Sequence, residues 1–356
     1  MADKLKEKHN IEKLRGLMKE LPEFLYSFFV AIEPQTSILT RINYAYDFKQ
    51  FFRYMISELS WCQAKEIDEI TVEDMNKVTS TEIERYLEYL NLYYTQSGKE
   101  IENHESGKSR KLASLRTLYK YLFKHNLVEK NITAIVDAPK LHQKDIIRLE
   151  PDEVAKLLDE VEDPEQLSPR QKAFHQYTKT RDTAILTLFL GTGIRISELC
   201  GLNIEDIDFN SDAFRVTRKG GKVSTLYFWT EVEEALKSYL SEREKIEAVP
   251  GHENALFLSM QKKRISVRAV QNLVKKYAQI STPLKKITPH KLRSTFGTNL
   301  YKETGDIYLV ADVLGHSDVN TTRKHYAAMS EDRRRMAAKA VTLRDDDATE
   351  AFDSDQ

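Results

Sequence analysis

A chain of 356 residues is long enough for about two domains of ordinary size, each with its own core. Hydrophobic residues make up 41% and charged residues 31%, which excludes disorder throughout and predicts globular cores under an unusually charged surface. Two cysteines, Cys62 and Cys200, exclude a disulfide framework and a four-thiolate zinc site. Residues 1–20 are dense in Lys and Glu, and no apolar run is long enough for a membrane span or a secretion signal, so a soluble cytoplasmic protein is expected.

In chain order, Ile38, Ile42, Ala45, Phe48, Phe52 and Met55 recur at helical spacing, and about four helices are predicted between residues 36 and 127. The last should cover residues 110–124, with Leu112, Leu115, Leu118, Tyr119 and Leu122 as its apolar stripe beside basic positions. The stretch from Ala138 through Pro139 to Asp145 has no periodicity and reads as a linker. The expected organisation is a helical domain over 1–140, a linker over 141–149, a second domain over 150–344 and an acidic disordered tail over 345–356.

The second domain opens on Glu150-Pro151-Asp152-Glu153, where Pro at the first helical position and following acids suit a helix N-terminus. A helix is predicted over 178–190, stopped by Gly191-Thr192-Gly193, with a new one over 196–202. Between Phe214 and Phe228 the period changes to alternation around Arg218-Lys219-Gly220-Gly221-Lys222, the pattern of a β-hairpin with a cationic, Gly-rich turn.

The formal net charge is −1, from 54 Lys and Arg against 55 Asp and Glu, which taken alone argues against a nucleic-acid partner. The distribution argues the other way. Residues 254–302 hold eleven Lys or Arg and no acid, and residues 105–148 form a second basic stretch. Acid collects in 150–165 and in the tail, which has six carboxylates. A charge run is often a solvated helix face, but two separate basic blocks also suit phosphate binding.

Four places hold polar residues that packing explains poorly. Arg195 follows the Gly-flanked break, where it either pairs with Glu198 or finds an external anion. Lys219 sits in the hairpin turn, with Lys222 three residues on; exposed turn lysines are common. Thr288-Pro289-His290-Lys291-Leu292-Arg293 has a suitable N-cap and first helical residue, and it sets His290 and Arg293 one turn apart at a helix start, a good phosphate site. Gly315 should end one helix and Asp318 cap the next, leaving His316 on the connection and Tyr326 about two turns on; Tyr326 read alone is a core or surface aromatic. The histidines lack acidic or Cys neighbours at metal-ligand spacing, and neither a P-loop nor a Gly-x-Gly-x-x-Gly run is present, so no metal or nucleotide cofactor is expected.

Together Arg195, Lys219, His290, Arg293, His316 and Tyr326 stand in the order of the active site of the tyrosine recombinases, or phage-type integrases. Thr192-Gly193-Ile194-Arg195-Ile196-Ser197-Glu198-Leu199, His290-Lys291-Leu292-Arg293 and Leu314-Gly315-His316 resemble that family's catalytic boxes. Residues 109–122 resemble the end of its N-terminal core-binding domain. Within the family the chain is most similar to the Xer group, and especially to XerS-like recombinases that act without a second recombinase. The segment 163–181 and Thr217-Arg218-Lys219-Gly220-Gly221 carry that likeness. Tyr326 lies ten residues after His316, one more than the commoner family spacing.

The resemblance implies a mainly α fold: a SAM-like helical core-binding domain, then a mostly helical catalytic domain with a small antiparallel sheet. It implies recombination of double-stranded DNA through a 3′-phosphotyrosine on Tyr326. Arg195 and Arg293 would hold the phosphate, His316 would donate to it, His290 would act as general base and Lys219 as general acid, with Lys222 the fallback. It further implies a homotetramer on two DNA sites, a C-terminal exchange helix over 330–343 bearing Met336, Ala337, Ala340 and Val341, and chromosome-dimer resolution at a dif-like site with the septal DNA translocase FtsK as partner. The rival readings are an integrase of a phage or transposon and, more distantly, a non-catalytic DNA-binding protein. Lys108, Arg110, Lys111, Arg116, Lys262, Lys263, Arg264 and Arg268 are the expected DNA contacts.

Overall fold

The computed structural model describes the chain except residues 1, 96, 141–146, 165, 219–220, 317, 320–321 and 323–356, with side chains described from residue 7 onward. It divides into two compact units, Met1–Lys144 and Asp145–Gln356. No helix among the described residues is long and apolar enough to cross a membrane.

The first unit contains α1 (Ala2–Met18), α2 (Phe24–Ile32), α3 (Ile38–Glu58), α4 (Val72–Lys77), α5 (Ser80–Tyr89), the short antiparallel pair β1 (Tyr93–Tyr94) and β2 (Glu100–Ile101), and α6 (Glu105–Lys124). Helix starts follow local chemistry. The Ser37 hydroxyl accepts the Thr40 N–H at 3.2 Å, and Thr71/Asp74 and Thr79/Glu82 form reciprocal capping boxes at α4 and α5, each replacing orphan N–H partners. The stripe expected on α6 is buried, as are Phe48, Phe51, Phe52 and Met55 of α3; each such side chain contributes about 1.5–3 kcal/mol on burial. The helix itself begins at Glu105, five residues earlier than its predicted start.

A buried ion pair lies inside this core. Asp47 on α3 is 1% exposed and meets the Lys111 ammonium at 3.3 Å and the Arg110 guanidinium. Burial pushes the Lys111 pKa down, against the opposing pull of Asp47.

The second unit contains α7 (Pro151–Glu162), α8 (Pro169–His175), α9 (Lys179–Thr192), α10 (Ile196–Gly201), β3 (Ile207–Asp208), β4 (Ala213–Thr217), β5 (Val223–Tyr227), α11 (Thr230–Arg243), α12 (Val267–Ser281), α13 (Pro289–Thr304) and α14 (Ile307–Leu314). The strands form one antiparallel sheet in the order β3-β4-β5, with Phe214 opposite Leu226 and Thr217 opposite Val223. At the core is α9, whose Ala184, Ile185, Leu186, Leu188 and Phe189 are all buried against α7, α11 and α13. From Ala184 to Phe189 the helix is buried on every side and has no solvent face to offer. Its C-terminus is accordingly deep, and just beyond it Ile194 is buried and Arg195 half buried.

A polar chain crosses the same unit. The Tyr277 hydroxyl donates to Asp182 Oδ2 at 3.0 Å. Its one proton is then spent, so the contact with His175 Nδ1 at 3.1 Å is a donation from the imidazole. Nε2 of His175 is buried with no partner among the described residues. Burial, then the positive charge of Lys276, lowers the His175 pKa, while burial and Asp182 push that of Tyr277 far up.

Candidate active site

Three segments far apart in the chain meet at the C-terminal end of α14. The last four carbonyls of an α-helix have no intrahelical partner and form the negative end of its dipole. Here Gly315 ends α14 in the left-handed conformation (φ 60°), a geometry that favours glycine. His316 N–H closes back onto Ala311 O at 2.9 Å. The terminal carbonyls are then taken up by arginines: Asp312 O and Val313 O accept from Arg218 at 3.3 and 3.0 Å, Leu314 O from Arg293, and Gly315 O from Arg195 at 2.6 Å.

Each arginine is fixed by its own segment. Arg195 lies in extended conformation at the head of α10, directly after the α9 stop. The buried Glu198 carboxylate accepts both its backbone N–H at 2.9 Å and its guanidinium at 2.8 Å. Of the two alternatives the pair with Glu198 forms, and it leaves 34% of the Arg195 side-chain surface exposed, open to an external anion as well. Arg293 stands in the first two turns of α13, which starts at Pro289 after the extended Thr288; the Thr288 side chain makes no capping hydrogen bond. Arg293 is 6% exposed and spans from Gly193 O, where α9 ends with φ 62°, to Leu314 O.

His316 follows Gly315 and shares a hydrogen bond of 2.7 Å between Nδ1 and the buried Thr322 hydroxyl, which fixes the ring. His290 is exposed on the first turn of α13, one turn before Arg293. The structure thus gathers Arg195, Arg293 and His316 at one helix end and carries His290 on the helix that supplies Arg293. Lys219, Tyr326 and the expected exchange helix lie outside the described residues, and the exposed Lys222 closes the turn, its carbonyl accepting the Arg218 N–H at 2.8 Å. Sequence reasoning did not single out Arg218 or Thr322. A basic residue beside Lys219 was the one available signal for the first, and a hydroxyl two turns after a Gly stop gives none for the second.

The expected DNA contacts divide by what already holds them. Arg264 donates to Cys200, Gly201 and Leu202 carbonyls and to Asn203 Oδ1, serving the C-terminus of α10. Arg116 reaches Thr133 O and Val136 O. Arg110 and Lys111 face Asp47. Lys262, Lys263 and Arg268 are exposed, and Lys108 is half buried.

The phage integrase family matches residues 147–333, more than half of the chain, and the chain belongs to that family, the tyrosine recombinases. It is 34% identical over 312 residues to tyrosine recombinase XerC of Caldanaerobacter subterraneus subsp. tengcongensis, covering 85% of this chain and 81% of that protein. It is 29% identical over 342 residues to tyrosine recombinase XerS of Streptococcus uberis, covering 88% and 93%. Among solved structures, the Tn1549 transposon integrase in complex with circular intermediate DNA aligns with a TM-score of 0.65 at 19% identity, covering 89% and 98%. The XerH site-specific recombinase bound to a palindromic difH substrate aligns with 0.62 at 20% identity, covering 85% and 79%. At these identities the structural likeness speaks to the fold: a mostly helical chain with small antiparallel sheets.

Proposed function

We propose that the chain resolves chromosome dimers by cutting and rejoining double-stranded DNA at a dif-like site, with Arg195, Lys219, His290, Arg293, His316 and Tyr326 as its active-site residues. The observation that carries the reading is the joint grip of Arg195 and Arg293 on Gly315 O and Leu314 O, immediately before His316. Two guanidiniums and an imidazole held at one point form a preorganised receptor for a phosphodiester whose negative charge grows as a nucleophile adds. Likeness to XerC and XerS proteins over most of the chain supports the chromosomal role.

Tyr326 Oη attacks the scissile phosphorus. The Oη–P bond forms as the bond to the 5′-oxygen breaks, leaving a 3′-phosphotyrosine and a 5′-hydroxyl. A phenol with a pKa near 10 needs help at neutral pH. His290 receives its proton, and Lys219 supplies one to the departing oxygen. Arg195, Arg293 and His316 bear the developing charge; loss of one such donor typically costs about 10² to 10³ in rate. Because the phosphotyrosine conserves the ester, the 5′-hydroxyl of another strand reverses the step without ATP. Exchange takes place in a homotetramer on two sites, with the 330–343 helix passed to a neighbour and FtsK as activating partner. Lys262, Lys263 and Arg268 contact the duplex.

The test begins with a duplex selected by the full chain from a random-sequence pool, then rebuilt with a nick so that the 5′-hydroxyl fragment diffuses away. The wild-type chain accumulates a covalent protein–DNA adduct, and Tyr326→Phe binds the same duplex with none. Binding without any adduct from the wild-type chain would leave a DNA-binding protein and end the enzymatic reading. An adduct persisting in Tyr326→Phe would remove that residue as the nucleophile.

A further inference from the structure

We infer that Arg218 is a positioning residue, which locks the β4–β5 turn onto the C-terminal end of α14 and so sets where the general acid of the turn stands relative to the scissile phosphate. The inference rests on the recombinase reading and adds to it a role for Arg218 that the family resemblance did not supply. Arg218 comes directly after β4, and its backbone closes the turn at both sides: its N–H donates to Lys222 O at 2.8 Å, and its carbonyl accepts from Gly221 N–H at 3.1 Å. Its side chain leaves the hairpin altogether and donates to Asp312 O and Val313 O. A planar fork meeting two successive carbonyls fixes orientation as well as distance.

Gly315 makes this contact possible. A Cβ built there would fall 1.3 Å from Arg218 Nη1 and 2.3 Å from its Cζ, so the guanidinium occupies the space that any other residue would fill. The helix end does not depend on Arg218 alone, because Arg195 and Arg293 hold the next two carbonyls. Among the described residues the turn has no equivalent. Among the described residues, the Arg218 side chain makes the one hydrogen-bonded tie from residues 217–222 to anything outside the hairpin. Deleting it therefore frees the turn while His316 and the two phosphate-binding arginines keep their anchors. Since Lys219 is next in the chain and Lys222 closes the same turn, the loss falls on proton delivery to the leaving oxygen, and a misplacement of about 1 Å can cost about 10² in rate.

The experiment compares full-length wild type, Arg218→Ala and Arg218→Lys on the selected nicked duplex in two forms, one with the natural scissile phosphate and one with sulfur in place of the bridging 5′-oxygen. A thiolate, whose conjugate acid has a pKa of about 8.5, departs without a donated proton. Arg218→Ala is expected to form adduct about 10²-fold more slowly on the oxygen substrate and at the wild-type rate on the sulfur substrate, and to add nothing to the defect of Lys219→Ala. Arg218→Lys, which keeps the charge but cannot fork, should show the same contrast in smaller measure and serves if the Ala variant folds poorly. Equal slowing on both substrates, or none on oxygen, overturns the inference. Failure of the wild-type chain to form any adduct overturns the parent reading instead.

Discussion

Arg195 and Arg293 donate to adjacent carbonyls at a single helix end, those of Gly315 and Leu314. The arginines enter from different helices, α10 and α13, so the helix end fixes their separation before any DNA arrives. A helix C-terminus is an unfavourable neighbour for phosphate, since its dipole is negative there. With its last carbonyls occupied by three guanidiniums, the same end becomes cationic.

Glu198 sets the pose of Arg195 by accepting from both its backbone and its side chain. Glu198→Gln keeps the shape and removes the charge. It should lower stability by about 1–2 kcal/mol and slow adduct formation at least 10-fold, with duplex binding little changed. Urea denaturation and the covalent trapping assay measure the two effects, and an unchanged adduct rate would show that Arg195 holds its place without the carboxylate.

Gly193 combines a left-handed backbone with close neighbours: an added Cβ would stand 2.4 Å from Phe296 Cδ1 and 2.9 Å from Leu314 Cδ2. Gly193→Ala should cost about 2–4 kcal/mol, part conformational and part overpacking. Equilibrium urea unfolding reads it, and a loss below about 1 kcal/mol would mean that Phe296 yields freely.

His175 gives a pH dependence of known sign. Its folded-state pKa is lowered, first by burial and then by Lys276, because a second proton on Nε2 would be buried with no partner among the described residues. Lys179 adds to the lowering, and Asp182 and Asp163 oppose it. The unfolded chain therefore takes up the proton first as pH falls. The contribution of neutral His175 is full above its unfolded pKa of about 6.5 and is lost as pH drops from there toward the folded value. His175→Gln can still donate to Tyr277 and does not titrate. Wild type should melt above the variant at pH 7.5, and the gap should narrow toward pH 5.5; a constant gap would exclude the linkage.

Arg264 and Arg268 lie four residues apart in the same basic block and should behave oppositely. Arg264→Ala removes the guanidinium donated to the Cys200, Gly201 and Leu202 carbonyls at the end of α10, of which Leu202 O keeps the Leu256 N–H, and should destabilise by about 1–3 kcal/mol without altering the salt dependence of DNA binding. Arg268→Ala should leave stability alone and reduce the slope of log K against log[salt] by about 0.9. Binding titrations at several ionic strengths separate them, and a reversed pattern would exchange the two roles.

The contrast between these two arginines also marks how far the sequence could be read. The α3 and α6 stripes, the α9 stop at Gly191-Thr192-Gly193 and the alternating hairpin were legible because period and turn chemistry are local properties. The α6 start at Glu105 was hidden by Ser106 and Gly107, which are weak helix formers. The two-residue β3 exists through its pairing with β4 and has no pattern of its own. Within the site, residue types and order pointed to Arg195, Arg293 and His316. Clustered positive charge could not distinguish Arg268 from Arg264, Arg116 or Arg110, because the carbonyls and the buried Asp47 that engage the last three are brought to them by the fold.

The peptide unit of Gly193 is both the stop of α9 and a rest for Arg293. Adding or removing one residue within the last turns of α9 would swing that carbonyl about 100° around the helix axis, away from the guanidinium. Length variation among related chains should accordingly be absent between Phe189 and Arg195 and collect instead in connections such as residues 244–254, a constraint on spacing that holds even where side chains differ.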